Sequence, residues 1–273
     1  MRLRAQVFYA ASIFFCNEGY LGFFLFTTER EGVRARIFHY GLRRPHKDLN
    51  QPNQTTMGEK KIHNLIVVDE SGSMTVIQQQ ALAGMNETLQ TIIDLQKQYP
   101  DTEQRVTLLL FDSGHQRFVF SNALAVETHQ LAPREYRPGG ATPLYDAIGL
   151  GIARVNAESA PGEDVLVTII TDGEENCSKE YNLGMVKNLI EKLKTQGWTF
   201  AFIGTDDLNV EGMAQAMSID NSLQFKRDEQ GTKEMFAVLG CSRKRYAFRK
   251  EMGIAEEAGH FFDEDDEDGK TKS

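Results

Sequence analysis

From residue 62 to about residue 251, short β-branched segments alternate with longer segments whose apolar residues have helical spacing. Ile62–Val68 is typical of a strand buried on both faces, and Val76–Tyr99 follows it with helical spacing as far as Pro100. Parallel strands need long connections, which are usually helices. The sequence therefore predicts an α/β fold: a doubly wound, mostly parallel central sheet with helices on both faces, in three layers.

The other predicted elements continue this alternation. The further strands are Arg105–Phe111, His115–Phe120, Asp164–Thr171, Trp198–Gly204 and Ser222–Phe225. The further helices are Pro143–Ser159, Tyr181–Thr195, Val210–Met217 and Thr232–Glu251. In doubly wound folds, sites form beyond the carboxyl ends of the strands, so we search the loops there for functional residues.

The first 56 residues differ in charge from the rest of the chain. They contain eight Lys and Arg against four Asp and Glu, whereas the remainder contains 22 against 35. Val7–Cys16 after Arg2 and Arg4 has the pattern of a signal peptide without a cleavage site, and Val7–Phe26 has the length of a membrane span but contains Glu18. The preferred hypothesis is that residues 1–56 are a start-site artefact or unstructured extension, and that Met57 is the true start.

We therefore expect three regions: an atypical extension over residues 1–56, one domain over 57–252, and an acidic, disordered tail over 253–273. The formal net charge of −9 argues against nucleic acid as a partner. The three cysteines are too few and too scattered for a disulfide scaffold or a thiolate zinc site.

Oxygen-bearing side chains follow the predicted strands in three loops. Asp69, Ser71 and Ser73 come directly after the first strand, in Asp-Glu-Ser-Gly-Ser. Thr142 lies in Gly-Gly-Ala-Thr-Pro-Leu before a helix, and Asp172 follows the fourth strand in Ile-Ile-Thr-Asp-Gly. Two carboxylates and three hydroxyls suit Mg²⁺, Mn²⁺ or Ca²⁺ and disfavour zinc or copper.

Neighbouring residues leave several hypotheses open. Glu70, Glu174 and Glu175 are expected to add negative charge around the site. Asp146 either supports the site or caps a helix. Simpler hypotheses make the Asp-Glu-Ser-Gly-Ser segment a helix N-cap, or make Asp69 or one of the serines a nucleophile. No G-x-S-x-G elbow surrounds the serines, which argues against a hydrolase of that kind.

Together the three segments resemble the von Willebrand factor type A domain family over about residues 60–240. Its D-x-S-x-S motif matches Asp69, Ser71 and Ser73, its threonine matches Thr142, and its second aspartate matches Asp172. The resemblance implies a metal-ion-dependent adhesion site, at which these residues surround one Mg²⁺, some of them through water. It also implies a protein partner whose Asp or Glu supplies the last ligand.

The resemblance thus implies a non-enzymatic protein-binding module. The alternative is a Mg²⁺-dependent phosphatase or hydrolase that uses the same ion, for which Glu174 and Glu175 are the candidate bases. A lone domain without repeats resembles the bacterial cytoplasmic members, which commonly work beside ATPases. If Met57 is the start, we expect a cytoplasmic protein without membrane association; if residues 1–26 are a signal or anchor, we expect an exported or envelope-anchored one.

Overall fold

The computed structural model describes residues 8–9, 22–29, 32–39, 60–160, 162–254 and 260–262, in two compact units, Met1–Met57 and Gly58–Ser273. The first unit contains an antiparallel sheet in the order β1-β2-β3. Its strands are β1 (Phe8–Tyr9), β2 (Gly22–Glu29) and β3 (Gly32–His39). Most of the segment proposed as a signal or anchor, Met57, and the acidic run Asp263–Asp268 lie outside the described residues, so their roles stay predictions.

The second unit is built on a six-stranded sheet in the order β6-β5-β4-β7-β8-β9. Its strands are β4 (Lys60–Asp69), β5 (Thr102–Phe111), β6 (Gln116–Leu124), β7 (Asp164–Thr171), β8 (Trp198–Thr205) and β9 (Asn221–Phe225). All neighbouring pairs are parallel except β5 and β6, which form an antiparallel hairpin.

Among the described residues of this unit, five α-helices connect or follow the strands. They are α1 (Gln78–Gln98), α2 (Leu144–Glu158), α3 (Leu183–Lys194), α4 (Val210–Ala216) and α5 (Glu229–Met252). A 3-10 helix, Gly72–Ile77, precedes α1, so the first α-helix begins two residues later than its apolar spacing predicts. The order of strands and helices confirms the predicted α/β class.

Two apolar cores lie on opposite faces of the sheet. Apolar residues of α1 and α5, such as Met85 and Leu239, pack with Ile66 of β4. Apolar residues of α2, α3 and α4 pack on the other face with the next residue of that strand, Val67. Successive side chains of a strand point to opposite faces, which explains why β4 needs an unbroken apolar run. The result is the predicted three-layer arrangement.

The C-terminal segment returns to the sheet after α5 ends. Gly253 terminates α5 with a φ of 69°, a left-handed conformation that glycine adopts readily. Phe261, beyond the boundary at residue 252 predicted from the sequence, is buried against Tyr246, and its N–H donates to the side chain of Asn221. Within the described ranges, no helix has both the length and the apolar character needed to cross a membrane.

Candidate metal centre

The five sequence-predicted ligands lie at the carboxyl edge of the six-stranded sheet. Asp69 is the last residue of β4, and Ser71 and Ser73 lie in the turn and 3-10 helix that follow it. Asp172 directly follows β7, the neighbour of β4, and Thr142 lies two residues before α2. Parallel strands end at the same edge of a sheet, so this topology brings together residues about 100 positions apart.

Hydrogen bonds link four of these residues. The Ser73 hydroxyl donates to Asp172 Oδ1 at 2.6 Å and lies 3.1 Å from the Ser71 hydroxyl. The backbone N–H of Ser71 donates to Asp69 Oδ1 at 2.7 Å. The two carboxylates are therefore connected through the two serines of the D-x-S-x-S segment.

Thr142 reaches the same place from the loop before α2. A Cβ atom on Gly173 would lie 2.9 Å from Thr142 Oγ1 and 3.7 Å from Asp69 Oδ2, so both oxygens face the small space beside this glycine. Asn176 holds the threonine backbone, since its side chain accepts from Thr142 N at 2.9 Å and its N–H donates to Thr142 O at 3.1 Å. A side chain on residue 173 would crowd the oxygens that the site brings together.

Four of the five candidate ligands are buried, and Ser73 is half-buried. Asp69, Ser71, Thr142 and Asp172 are each at most 3% exposed. Burial raises the pKa of Asp69 to about 6, even though hydrogen bonds from Thr171 and Ser71 lower it. Burial also raises the pKa of Asp172, against the opposing effects of Ser73 and Arg227. Both carboxylates are thus held where negative charge is poorly solvated.

One buried carboxylate oxygen of the site, Asp172 Oδ2, bears on whether the site suits a cation. Asp172 Oδ2 is buried and has no hydrogen-bond partner, and Arg227 Nη1 lies 3.7 Å from it. Unsatisfied buried carboxylate oxygens are costly, and a bound cation satisfies them. In the described part of the chain, no three His, Cys, Asp or Glu residues cluster as a metal site. The candidate set has only two carboxylates and depends on hydroxyls, the oxygen donors that hard cations accept.

Two of the three glutamates expected to charge the site are engaged elsewhere. Glu70 is buried; its carboxylate accepts from Arg137 N at 2.5 Å and lies 3.0 Å from His115 Nε2. Glu175 accepts from the backbone N–H groups of Tyr145, Cys177 and Ser178 and from the Ser178 hydroxyl. Only Glu174 is exposed. The expected excess of negative charge is therefore largely compensated by internal contacts.

Asp146 organises the loop between β7 and α3. Its carboxylate accepts from the backbone N–H groups of Lys179, Glu180 and Tyr181 at 2.8, 2.9 and 2.7 Å. The side chain thus caps a turn of the loop that carries Asp172 at its start. Of the two roles left open from the sequence, the structure supports a positioning role through backbone contacts.

Three residues that sequence reasoning missed also shape the site. The Thr171 hydroxyl donates to Asp69 Oδ2 at 2.6 Å, and the buried Tyr136 hydroxyl donates to Asp69 O at 2.8 Å. Asn176 fixes Thr142, as described above. A threonine directly before Asp172, at the end of an apolar strand, was a usable signal for Thr171. Tyr136 and Asn176 had none, because their contacts join distant segments.

Comparisons with known proteins agree with this fold. The model of the von Willebrand factor type A domain family matches residues 65–238. Among solved structures, the chain is similar to a mutant of the PilB minor pilin from Streptococcus sanguinis, with a TM-score of 0.50, 11% identity, and coverage of 90% of this chain and 78% of that chain. It is also similar to the pilus adhesin SpaC from Lactobacillus rhamnosus GG, in an open conformation, with a TM-score of 0.52, 14% identity, and coverage of 87% of this chain and 34% of that chain. These low identities show a shared fold alone. No curated protein matches the sequence significantly.

Proposed function

Because the chain belongs to the von Willebrand factor type A domain family, we propose that it is a protein-interaction module that binds a partner through a divalent cation. The proposed ligands are Asp69, Ser71, Ser73, Thr142 and Asp172. The proposed ion is Mg²⁺ or Mn²⁺, with Ca²⁺ as the third candidate. When bound, the ion supplies positive charge and a coordination position for a carboxylate of the partner.

The buried, unbonded Oδ2 of Asp172 carries this proposal. A carboxylate oxygen without a donor, in a cluster made only of oxygen ligands, is what a site built for a hard cation requires. The other carboxylate supports the same interpretation, because burial raises the pKa of Asp69 and a nearby cation would favour its ionised form.

The surrounding residues have distinct roles in this proposal. Asp69 and Asp172 supply the negative charge that attracts the ion. Ser71 and Ser73 supply neutral oxygens, which leave the charge of the ion incompletely compensated. That residual charge would attract an Asp or Glu of the partner protein. Thr171 orients the Asp69 carboxylate through its 2.6 Å hydrogen bond.

The partner and the compartment are also part of the proposal. We propose a stand-alone bacterial-type member that works in the cytoplasm beside an ATPase-associated protein partner, with residues 57–252 as the interacting domain. The net charge of −9 supports a partner other than nucleic acid. The exported or envelope-anchored alternative depends on whether residues 1–26 act as a signal, which N-terminal sequencing of the natural protein would decide.

We propose that the module is non-enzymatic. Of the two candidate general bases for a hydrolase, Glu175 accepts four hydrogen bonds, one from Tyr145 N of α2 and three from its own loop, so its oxygens are already occupied. The remaining candidate, Glu174, is exposed. Turnover of p-nitrophenyl phosphate with Mg²⁺ tests the alternative. Activity in the wild type that disappears in Asp69→Ala would favour a hydrolase.

A thermal melt of the full chain tests the metal site. Wild-type protein is melted in EDTA and in Mg²⁺, Mn²⁺ or Ca²⁺, beside Asp69→Ala and the exposed control Asp94→Ala. An ion at 100 times its dissociation constant stabilises a fold by about 2.7 kcal/mol. We expect a shift of the melting temperature in the wild type and in Asp94→Ala but not in Asp69→Ala. Equal shifts in all three proteins would overturn the proposed ligand set.

A second experiment tests the partner's ligand. A short peptide with one central Glu is titrated into the Mg²⁺-loaded full chain, with the matching Gln peptide as control. We expect chemical-shift changes at Thr142 and Asp172 with the Glu peptide, and we expect EDTA to abolish them. Equal changes with the Gln peptide would show that a carboxylate is not what the site recognises.

A further inference from the structure

Arg227 is a cationic residue beside the candidate ligands that belongs to none of the three sequence segments. It lies in the short connection between β9 and α5. Its Nη1 is 3.7 Å from Asp172 Oδ2, and its Nη2 is 3.2 Å from Asp207 Oδ2. Its backbone N–H donates to Asp206 Oδ1 at 3.3 Å. The guanidinium therefore sits between a candidate metal ligand and an acidic residue of the loop after β8.

The contact with Asp172 is electrostatic rather than a hydrogen bond. The separation of 3.7 Å is beyond hydrogen-bond distance, and Asp172 Oδ2 has no donor. The side chain of Asp172 is buried, whereas that of Arg227 is about one-third exposed. A partly desolvated charge pair of this kind is screened less than a surface ion pair. The guanidinium thus acts on the same oxygen that we propose for the cation.

We infer that Arg227 sets the cation affinity of the site by competing with the divalent ion for Asp172. The inference rests on the proposed metal site. Two positive charges that share one carboxylate repel each other, so the guanidinium weakens ion binding as long as it stays beside Asp172. Asp207 offers the guanidinium a second anionic partner at the shorter distance of 3.2 Å. An ion that binds Asp172 therefore does not leave Arg227 without a counter-charge.

Binding of MnCl₂ to the full chain, followed by isothermal titration calorimetry and by electron paramagnetic resonance of free Mn²⁺, tests this inference. The variants are Arg227→Gln, which removes the charge, and Arg227→Lys, which keeps it. Arg154→Gln is the matched control, because it removes the same charge from a residue that contacts Phe118 and Glu158 instead. Asp69→Ala reports whether Mn²⁺ binds at the proposed site at all.

We expect the Mn²⁺ dissociation constant of Arg227→Gln to fall roughly threefold or more below that of the wild type. Arg227→Lys and Arg154→Gln should stay close to the wild type, and the gain in Arg227→Gln should shrink at high NaCl, where charge repulsion is screened. Unchanged or weaker binding in Arg227→Gln, with normal wild-type binding, overturns the role of Arg227 alone. Binding in Arg227→Gln but not in the wild type supports it in its strongest form. Absence of binding in both proteins, or binding that Asp69→Ala retains, overturns the metal site and this inference together.

Discussion

The Thr171 hydroxyl donates a 2.6 Å hydrogen bond to Asp69 Oδ2, joining the carboxyl ends of the neighbouring strands β7 and β4. The other carboxylate oxygen accepts from Ser71 N at 2.7 Å. Burial raises the pKa of Asp69 to about 6, because these two bonds only partly replace the water that the carboxylate loses. In the absence of a cation, the ionised form of Asp69 therefore destabilises the fold.

This relationship predicts that Asp69→Asn stabilises the metal-free protein near neutral pH. The carboxyl titrates at about 6 in the fold against an ordinary value of 3.8, so the folded state holds its proton to higher pH than the unfolded state. The free energy of unfolding contributed by this group is therefore fully present below pH 3.8 and is lost as the pH rises through 6. At pH 7.5 in EDTA, urea unfolding should show Asp69→Asn more stable by on the order of 1–3 kcal/mol.

The local geometry accommodates the amide, since the Thr171 hydroxyl has a second acceptor in Gly173 O at 3.0 Å. Asp146→Asn is the control. That carboxylate accepts three backbone N–H groups, so its neutralisation should destabilise the fold. The prediction is wrong if Asp69→Asn is less stable than the wild type at pH 7.5 in EDTA.

His63 should give a pH dependence of the opposite sign. It is buried in β4 with Nε2 2.8 Å from Thr107 Oγ1, and burial, with a smaller effect of Arg105, lowers its pKa from 6.5 to about 4. Its contribution to stability is present above pH 6.5 and is lost as the pH falls toward 4, because the unfolded chain takes up the proton first. The loss should reach about 2–3 kcal/mol.

Urea unfolding at several pH values between 7.5 and 4.5 measures how the free energy of unfolding changes with pH. His63→Gln should make the free energy of unfolding less dependent on pH. His129→Gln should leave that dependence unchanged, because the side chain of His129 is 60% exposed. Both histidine variants are made in the Asp69→Asn protein, because Asp69 would otherwise add a pH dependence of opposite sign. An unchanged slope in His63→Gln would show that the buried imidazole does not control acid stability.

Local sequence patterns were sufficient to predict the sheet and to select the candidate ligands at its edge, but not the contacts around them. The apolar run of β4 reflects a strand that is buried on both faces. The helical spacing of apolar residues in α1 reflects a helix that is buried on one face. The candidate ligands follow strand ends, and a parallel sheet brings strand ends together. These features depend on residues close together in sequence and on the order of strands and helices, and both can be read from the sequence.

The directions of the glutamate side chains were not predictable in the same way. Glu70 contacts His115 and Arg137, which are 45 and 67 residues away. Glu175 turns back onto its own loop and onto Tyr145 N. Arg227 reaches Asp172 from the connection after β9, 55 residues further along the chain. Each contact depends on how one loop packs against another, which neither hydrophobic periodicity nor motif spacing encodes.

Arg243 provides a prediction about buried charge. It lies on α5, fully buried, and donates to Asn64 Oδ1 at 2.5 Å and to Thr168 Oγ1 at 3.0 Å, while its Nε has no partner. In the described part of the chain, no carboxylate forms an ion pair with it, and burial lowers its pKa to about 10. We expect Arg243→Met to cost less stability than removal of its acceptor Asn64, because a neutral acceptor left without a donor is less costly than a buried charge left without an acceptor.

A substitution of Asn64, which accepts a hydrogen bond from Arg243, should have a larger effect. Asn64→Leu removes the 2.5 Å acceptor and leaves the guanidinium less satisfied, so it should destabilise the fold by about 3 kcal/mol or more. In the double variant, Arg243→Met should relieve part of that loss. Urea unfolding at pH 7.5 measures all three proteins. A larger loss in Arg243→Met than in Asn64→Leu would show that the guanidinium is a net stabilising group.

Two helical glycines should respond in opposite directions to the same substitution. A Cβ on Gly84 of α1 would lie 1.9 Å from Cδ2 and 2.2 Å from Cγ of Phe236 on α5, whereas a Cβ on Gly240 would meet nothing within 4 Å. Gly84→Ala should therefore destabilise the fold by about 1–3 kcal/mol, because the α1–α5 contact must open to admit the methyl group. Gly240→Ala should stabilise it by about 0.5–1 kcal/mol, since alanine has the higher helix propensity. Thermal melts of both variants, with the double variant Gly84→Ala/Phe236→Leu, measure these effects. If the smaller Leu at residue 236 does not reduce the cost of Gly84→Ala, the close approach of the two helices is not its cause.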